Sequence, residues 1–255
     1  MRLKGRIALV TGSSRGIGAA IAKKLAAEGA SLVLHARETD EQAQQVAGAI
    51  RSAGGEAHIV LGDLTTPEAP LRVVQEAFAV HGALDILVCN AGGSRGGLVV
   101  NQQLADIDAT LALNLRAVML SVGEFARLTQ SDQGRIVLIS SGAAAHPAYG
   151  ASGLSAAKAG AEAFIRAAAQ ELGERGITAN TVAPGTTKTD RIAGQAWTDK
   201  VPPWTALRRL GEPEDIADIV AFVVSHEARW LTGATLPASG GLLTTAANIL
   251  ALDQR

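Results

Sequence analysis

The sequence contains a single cysteine, Cys89, and a single tyrosine, Tyr149, among 255 residues. One cysteine excludes a disulfide within the chain and suits a reducing cytosol, so we expect a cytoplasmic protein. The formal net charge is only −1, which gives no reason to expect nucleic acid or an anionic membrane as a partner. No apolar run approaches the ~20 residues that span a bilayer, and the amino-terminal stretch 1–12 lacks the pattern of a secretory signal.

Short apolar runs of strand length alternate with longer segments of helical period. The predicted strands are 6–11, 31–36, 57–62, 84–90, 135–141, 177–184 and 233–238. The predicted helices are 16–28, 41–52, 67–81, 104–129, 154–174 and 214–225. Strands that are apolar on both faces and separated by helices predict a parallel sheet covered on both sides. We therefore expect an α/β fold with a doubly wound parallel sheet, the Rossmann fold, as a single domain over 1–255.

A glycine-rich stretch, "VTGSSRGIGAA", places Gly12, Gly16 and Gly18 at the turn from the first strand into the first helix. Small residues there let the backbone approach a pyrophosphate, and the helix N-terminus offers free N–H groups and the positive end of its dipole. Such a pattern alone also fits an ordinary tight turn. Its position in a βαβ unit favours a dinucleotide site.

The end of the second predicted strand indicates which dinucleotide is bound. NAD sites carry an acidic residue there, but this chain has Ala36 followed by Arg37, and its first acidic residue is Glu38. Arg15 lies inside the glycine loop. Two guanidinium groups fit a 2′-phosphate, which predicts NADP(H) as the cofactor, unless both are merely solvated surface charges.

Further motifs follow the glycine loop in order along the chain. They are "GDL" at 62–64, "CNAG" at 89–92, "NL" at 114–115, "ISS" at 139–141, "SAAKAG" at 155–160, "APGTTKTD" at 183–190 and "RLGEPEDIA" at 209–217. Together they resemble the short-chain dehydrogenase/reductase family, and in particular its 3-oxoacyl-carrier-protein reductases. The match covers nearly the whole chain.

The resemblance implies a set of cofactor contacts. These are Gly12, Ser14, Arg15, Gly16, Ile17 and Gly18 in the loop, then Arg37, Asp63, Leu64, Asn90, Ala91 and Gly92 on the adenosine side, and Lys158, Pro184, Gly185, Thr187 and Thr189 around the nicotinamide. Asp63 would accept a hydrogen bond from adenine, or else cap a turn. Cys89 stands where the family has asparagine, and we interpret it as a buried apolar residue rather than a nucleophile.

The resemblance also implies a catalytic set in which serine orients a carbonyl, tyrosine supplies its proton and lysine lowers the pKa of the tyrosine. Counting back from Lys158 by the family spacing gives position 154 for the tyrosine and position 141 for the serine. Ser141 is present, but position 154 is leucine. Asn114 would hold a water in a proton relay, or brace a helix kink.

Leu154 has no exchangeable proton, so another donor is needed if the chain is an enzyme. Tyr149 would serve only if its loop carried the ring back over the site, and it fits more simply as a substrate-facing or packed ring. Ser155, His146 and a water held by Ser141, Asn114 and Lys158 are further candidates. The sequence predicts no metal site.

Three functional hypotheses remain. The first is an NADP(H)-dependent reductase or dehydrogenase with a rearranged acid, and the second is a cofactor-binding or regulatory protein without turnover. The third is a different reaction on the same scaffold, such as reduction of a C=N bond in a substrate that is already protonated. The fold alone does not choose among them.

Few features of the sequence indicate the substrate. The irregular segment 186–211 is long enough for a lid, and its Trp197 and Trp204 suggest an apolar cover over a small-molecule substrate, or simply packing within the lid. Ser239 lies near an expected subunit contact. The predicted helices 104–129 and 154–174 resemble the family's dimer interface, so we expect a homo-oligomer, a tetramer or a dimer.

Overall fold

The computed structural model describes residues 1–38, 41–93, 97–147 and 149–242. Within these residues, seven strands form one parallel sheet in the order β3-β2-β1-β4-β5-β6-β7. They are β1 (Ile7–Val10), β2 (Ser31–Ala36), β3 (Ala57–Leu61), β4 (Ile86–Cys89), β5 (Arg135–Ile139), β6 (Thr178–Pro184) and β7 (Thr235–Ala238). The predicted doubly wound α/β fold is confirmed.

The α-helices connect these strands and cover both faces of the sheet. They are α1 (Gly16–Ala27), α2 (Glu41–Ser52), α3 (Ala69–His81), α4 (Leu104–Leu111), α5 (Ala117–Leu128), α6 (Ser152–Leu172) and α7 (Pro213–Val223). Every predicted strand and helix is present, with ends within two residues of the prediction. The apolar runs predicted the elements well because the strands are buried on both faces.

Alternate strand residues belong to two separate hydrophobic clusters. Val10 and Val88 pack on the side that carries α1, α2 and α7. Leu9 and Leu87 pack on the opposite side, against α3, α5 and α6. This period of two places each strand between two helical layers and fixes its register.

A π-helical turn, Ala112–Arg116, joins α4 to α5 into one helical run. The run over 104–128 is long and apolar enough, by length and composition, to cross a membrane, so our expectation that no stretch approaches this length was wrong. Half of its apolar window is buried against the rest of the fold. A core helix passes the same test, so the run is weak evidence for a membrane span.

The strand order reverses between β1 and β4, which both lie at the centre of the sheet. Loops after neighbouring strands leave in opposite directions there and open a crevice at the carboxyl edge of the sheet. The segment 186–211 begins at the end of β6, on this same edge. Its base is closed by backbone hydrogen bonds between Thr186 and Gly211 (3.0 Å) and between Lys188 and Gly211 (2.8 Å).

Candidate functional site

The glycine loop after β1 has three positions, Gly12, Gly16 and Gly18, that favour glycine over any residue with a side chain. Gly12 and Gly16 have φ angles of +62° and +54°, which favour glycine. A Cβ at Gly18 would collide with the carbonyl oxygen of Gly12 and the side chain of Asn90. Arg15 is the N-cap of α1, and among the residues that the structure describes no side chain caps this helix, so its first N–H groups lack a side-chain acceptor.

Asn90 and Thr11 fasten this loop to the end of β4. The Asn90 side chain donates from Nδ2 to the carbonyl oxygens of Thr11 (2.8 Å) and Gly12 (2.9 Å). The Thr11 hydroxyl oxygen accepts from the backbone N–H groups of Asn90 (2.9 Å) and Ala91 (3.0 Å). Asn90 therefore holds the glycine loop in place.

His35 is a buried residue of this region that the sequence analysis missed. Its Nδ1 accepts a hydrogen bond from the Gly12 N–H (3.0 Å), and its Nε2 lies 2.9 Å from the carbonyl oxygen of Gly62. Burial lowers the pKa of His35. A neutral imidazole with its proton on Nε2 satisfies both contacts, so His35 links the loops after β1 and β3.

The residues expected near the adenosine lie at the ends of β2 and β3. Asp63 accepts from both the backbone N–H (3.0 Å) and the hydroxyl (2.7 Å) of Thr65, so it does form the turn considered as its alternative role. Leu64 is buried beside it. Arg37 is exposed and pairs with Glu38 at 2.9 Å, and Arg15 is also exposed. An exposed pair of this kind is weak, so Arg37 is free to turn to a stronger anion.

Lys158 is the buried cation of the site, with only 4% of the residue exposed. Its Nζ donates to the carbonyl oxygen of Ile139 at 2.7 Å. The pKa of Lys158 is lowered to about 8, mainly by burial and also by the charge of Arg191, while Cys89 and Glu162 act in the opposite direction. Glu162 is itself buried and accepts a 2.6 Å hydrogen bond from Ser140, a pair that the sequence analysis did not identify.

Asn114 lies in the π-helical turn and is fully buried. Its Nδ2 donates to the carbonyl oxygens of Gly93 (2.6 Å) and Thr110 (2.9 Å), and its Oδ1 accepts from the Gly93 N–H at 3.2 Å. A Cβ at Gly92 would lie 2.9 Å from Asn114 Oδ1 and 3.1 Å from Lys158 Nζ. Asn114 thus braces the irregular helix and also lies next to Lys158.

Ser141 follows β5 directly, and its hydroxyl oxygen accepts from the Ala143 N–H at 3.2 Å. Leu154 is half-buried in the first turn of α6, one helical turn before Lys158. Residues four apart in a helix share a face, so Leu154 occupies the place where a proton donor was expected.

The other proposed donors are less well placed. Tyr149 is 91% exposed, in the turn before α6, so of its two expected roles the packed ring is wrong, and the substrate-facing ring stays a prediction. His146 is exposed as well. Ser155 is buried, and its hydroxyl has no hydrogen-bond partner among the residues that the structure describes.

The loop after β6 contributes the residues expected around the nicotinamide. A Cβ at Gly185 would lie 2.8 Å from Cα of Ser239, so this glycine allows close approach of the residue that follows β7. Thr187 is buried and donates to the carbonyl oxygen of Gly185 at 3.1 Å. Thr189 faces Gly16 across the crevice, because a Cβ on Gly16 would lie 3.3 Å from Thr189 Cγ2.

Arg191 extends from the segment 186–211 back into the site, a position that no sequence motif indicated. One terminal nitrogen, Nη2, donates to the carbonyl oxygen of Gly92 at 3.0 Å. The guanidinium also covers Gly93, where a Cβ would lie 2.9 Å from the same nitrogen. Trp197 and Trp204 of this segment remain 46% and 41% exposed. The segment therefore supplies a second cation beside Lys158.

Comparisons with known proteins identify the family to which this chain belongs. Residues 12–243 match the family model described as enoyl-(acyl carrier protein) reductase. The chain is 36% identical to the 3-oxoacyl-[acyl-carrier-protein] reductase of Vibrio cholerae serotype O1, over 95% of this chain and 99% of the relative. It belongs to the short-chain dehydrogenase/reductase family of oxidoreductases.

Other similar proteins extend the comparison. Elsinochrome reductase 1 of Elsinoe fawcettii is 34% identical over 94% of this chain and 95% of its own length. A short chain dehydrogenase from Burkholderia cenocepacia J2315, solved in complex with NADP, is 42% identical with a TM-score of 0.90, covering 94% of this chain and 99% of that one. The family resemblance seen in the motifs is confirmed.

Proposed function

We propose that this protein is an NADP(H)-dependent oxidoreductase that acts on a carbonyl, alcohol or C=N substrate, with Lys158 as the source of the proton. The single observation that carries the proposal is the buried Lys158 ammonium, whose pKa is lowered to about 8, at the position where the resemblance implies a catalytic lysine. A group that titrates near the working pH exchanges protons efficiently. Leu154, by contrast, has no exchangeable proton to donate.

The residues present fit an NADP(H) cofactor. The glycine loop admits no Cβ at Gly18, and the start of α1, which no side chain in the described part of the chain caps, would offer N–H groups to a pyrophosphate. Arg15, at the start of α1, and Arg37, directly after β2, are exposed and would hold the 2′-phosphate. The bound NADP of the Burkholderia cenocepacia neighbour supports the same choice. When bound, the nicotinamide supplies or accepts the hydride.

The chain's own residues then orient the substrate and move the proton. Ser141 accepts from the Ala143 N–H, which leaves its hydroxyl hydrogen for the substrate oxygen or nitrogen. Lys158 and Asn114 converge on Gly92 and would hold a water between the ammonium and that atom. The proton passes from the Lys158 ammonium through this water to the substrate. A substrate that arrives protonated, such as an imine, would need less from this relay.

A second candidate function is a cofactor sensor that binds NADP(H) without turnover. Leu154 favours it, because loss of a general acid costs roughly 10²–10⁴-fold in rate. The cofactor loop of such a protein would look the same. The two functions therefore differ in turnover and not in binding.

The deciding experiment measures NADPH consumption over a panel of ketones, quinones and imines, with NADPH binding titrated in parallel. Wild type is compared with Lys158→Ala and Tyr149→Phe, and Lys4→Ala serves as a control because Lys4 is an exposed lysine ahead of β1, away from the crevice. We expect turnover that Lys158→Ala abolishes and that Tyr149→Phe and Lys4→Ala leave unchanged.

Two results would change the proposal. If Tyr149→Phe abolishes turnover while NADPH binding stays intact, the general acid is Tyr149 and not Lys158. Tight NADPH binding without turnover on any substrate would favour the sensor.

A further inference from the structure

A cluster of two histidines and one glutamate lies at the amino end of β3, the edge strand of the sheet. Glu56 precedes this strand and His58 is its second residue, so the two side chains project to the same face. His81 is the last residue of α3 and meets them from the neighbouring helix. The three ligand atoms all lie within 4.8 Å of one another.

The separations within the cluster are close to those around a tetrahedral metal. Glu56 Oε1 lies 3.3 Å from His58 Nε2 and 3.9 Å from His81 Nε2. Ligands bonded to zinc at about 2.0–2.2 Å in a tetrahedron stand roughly 3.3 Å apart. Small rotations of the half-exposed Glu56 and His58 side chains would complete this geometry.

Two further observations point to a bound ion. The Nε2 atom of His81 is buried and, among the residues that the structure describes, has no hydrogen-bond partner. A buried imidazole nitrogen left unpaired is costly, and a metal bond would satisfy it. In addition, the Ser31 hydroxyl donates to Glu56 Oε2 at 2.9 Å, which directs the other carboxylate oxygen, Oε1, toward both imidazoles. Such outer hydrogen bonds orient metal ligands.

We propose that Glu56, His58 and His81 form a Zn²⁺ site with water in the fourth position. Two imidazoles and one carboxylate are a donor set that zinc prefers, whereas Mg²⁺ prefers oxygen ligands in octahedral geometry. The site lies at the amino end of β3, while the cofactor crevice lies at the carboxyl edge of the sheet. Zinc here would therefore tie the edge strand to α3 and stabilise the fold, not take part in the reaction.

The sequence alone does not indicate this site because His81 lies far along the chain from the other two ligands. Only the packing of α3 against β3 brings them together. The spacing also lacks the paired cysteines or closely spaced histidines by which zinc sites are usually found in sequences.

The test uses the full chain stripped of metal with a chelator, followed by titration with ZnCl₂ and measurement of thermal unfolding. We expect one Zn²⁺ per chain and a Tm about 5–10 °C higher when zinc exceeds its Kd a hundredfold. His81→Asn and Glu56→Gln should abolish this shift, and Ser31→Ala should weaken zinc binding by roughly tenfold or more. MgCl₂ should leave the Tm unchanged.

The control is His226→Asn, since His226 is an exposed histidine in a separate short helix before β7. It should bind zinc as wild type does. Equal zinc affinity in wild type and His81→Asn would overturn the proposal, as would the absence of stoichiometric binding to wild type. Unfolding curves in chelator establish that each variant is folded before zinc is added.

Discussion

The Nζ atom of Lys158 donates a 2.7 Å hydrogen bond to the carbonyl oxygen of Ile139, the last residue of β5. This contact ties the lysine on α6 to the carboxyl edge of the sheet, next to Ser141. An ammonium group has three hydrogens to donate, and among the residues that the structure describes this contact uses one of them. The relationship thus fixes the amine in place while keeping it able to give up a proton.

The first prediction concerns the pH dependence of reduction. Because burial lowers the pKa of Lys158 to about 8, the ammonium form is present below this pH and disappears above it. The kcat for NADPH-dependent reduction should therefore be flat on the acid side and fall about tenfold per pH unit on the alkaline side. Steady-state kinetics across this range measures it. A kcat that rises through pH 8 would contradict Lys158 as the proton source.

The second prediction concerns Arg191, which lowers the pKa of Lys158. Replacing it by an uncharged residue of similar length, Arg191→Met, should raise that pKa and move the falling limb of the pH profile to higher pH. Arg166→Met is the matched control, because Arg166 is exposed on α6 two turns beyond Lys158. A role of Arg191 confined to substrate binding would change KM without moving the limb.

The sequence predicted the elements and the cofactor loop because both depend on local pattern. Strands buried on both faces read as apolar runs, and Gly12 and Gly18 are required by the turn itself. Arg191 and His35 could not be predicted, since their roles arise from contacts between segments distant along the chain. The carboxylate partner of Arg37 is the adjacent Glu38, which the sequence contained but which was not expected to pair.

The third prediction restores the missing phenol. Leu154→Tyr places a hydroxyl one helical turn before Lys158, on the same face of α6. We expect carbonyl reduction to rise, but by less than the roughly 10²–10⁴-fold that a general acid contributes in full, because Lys158 already supplies the proton through water. Leu154→Phe adds the ring without the hydroxyl and should leave the rate near that of wild type. If both variants bind NADPH and neither reduces a ketone faster than wild type does, the absence of a phenol at position 154 is not what limits turnover.

The fourth prediction tests the choice of cofactor. Arg37→Glu removes one guanidinium and places a carboxylate where the 2′-phosphate would lie, so NADPH affinity should fall by about 10–100-fold while NADH affinity is kept. Arg229→Glu, at an exposed arginine after the short helix 226–228, is the control. If wild type had equal dissociation constants for NADPH and NADH, the assignment of Arg15 and Arg37 as ligands of the 2′-phosphate would be wrong.

The fifth prediction compares two glycines that lie in helices. A Cβ at Gly18 would collide with the carbonyl oxygen of Gly12 and the side chain of Asn90, whereas a Cβ at Gly48 in α2 would meet no described residue within 4 Å. Gly48→Ala should therefore stabilise the protein by about 0.5–1 kcal/mol, since alanine is the better helix former. Gly18→Ala should destabilise it by about 1–3 kcal/mol, as overpacking does.

The same substitution at Gly18 should also weaken NADPH binding, because the collision displaces the loop that would hold the pyrophosphate. Urea unfolding gives both free energies, and a fluorescence titration gives the NADPH dissociation constants. Normal NADPH binding by a folded Gly18→Ala variant would show that the loop tolerates the displacement. In that case close approach of the backbone at this turn would not be what the cofactor requires.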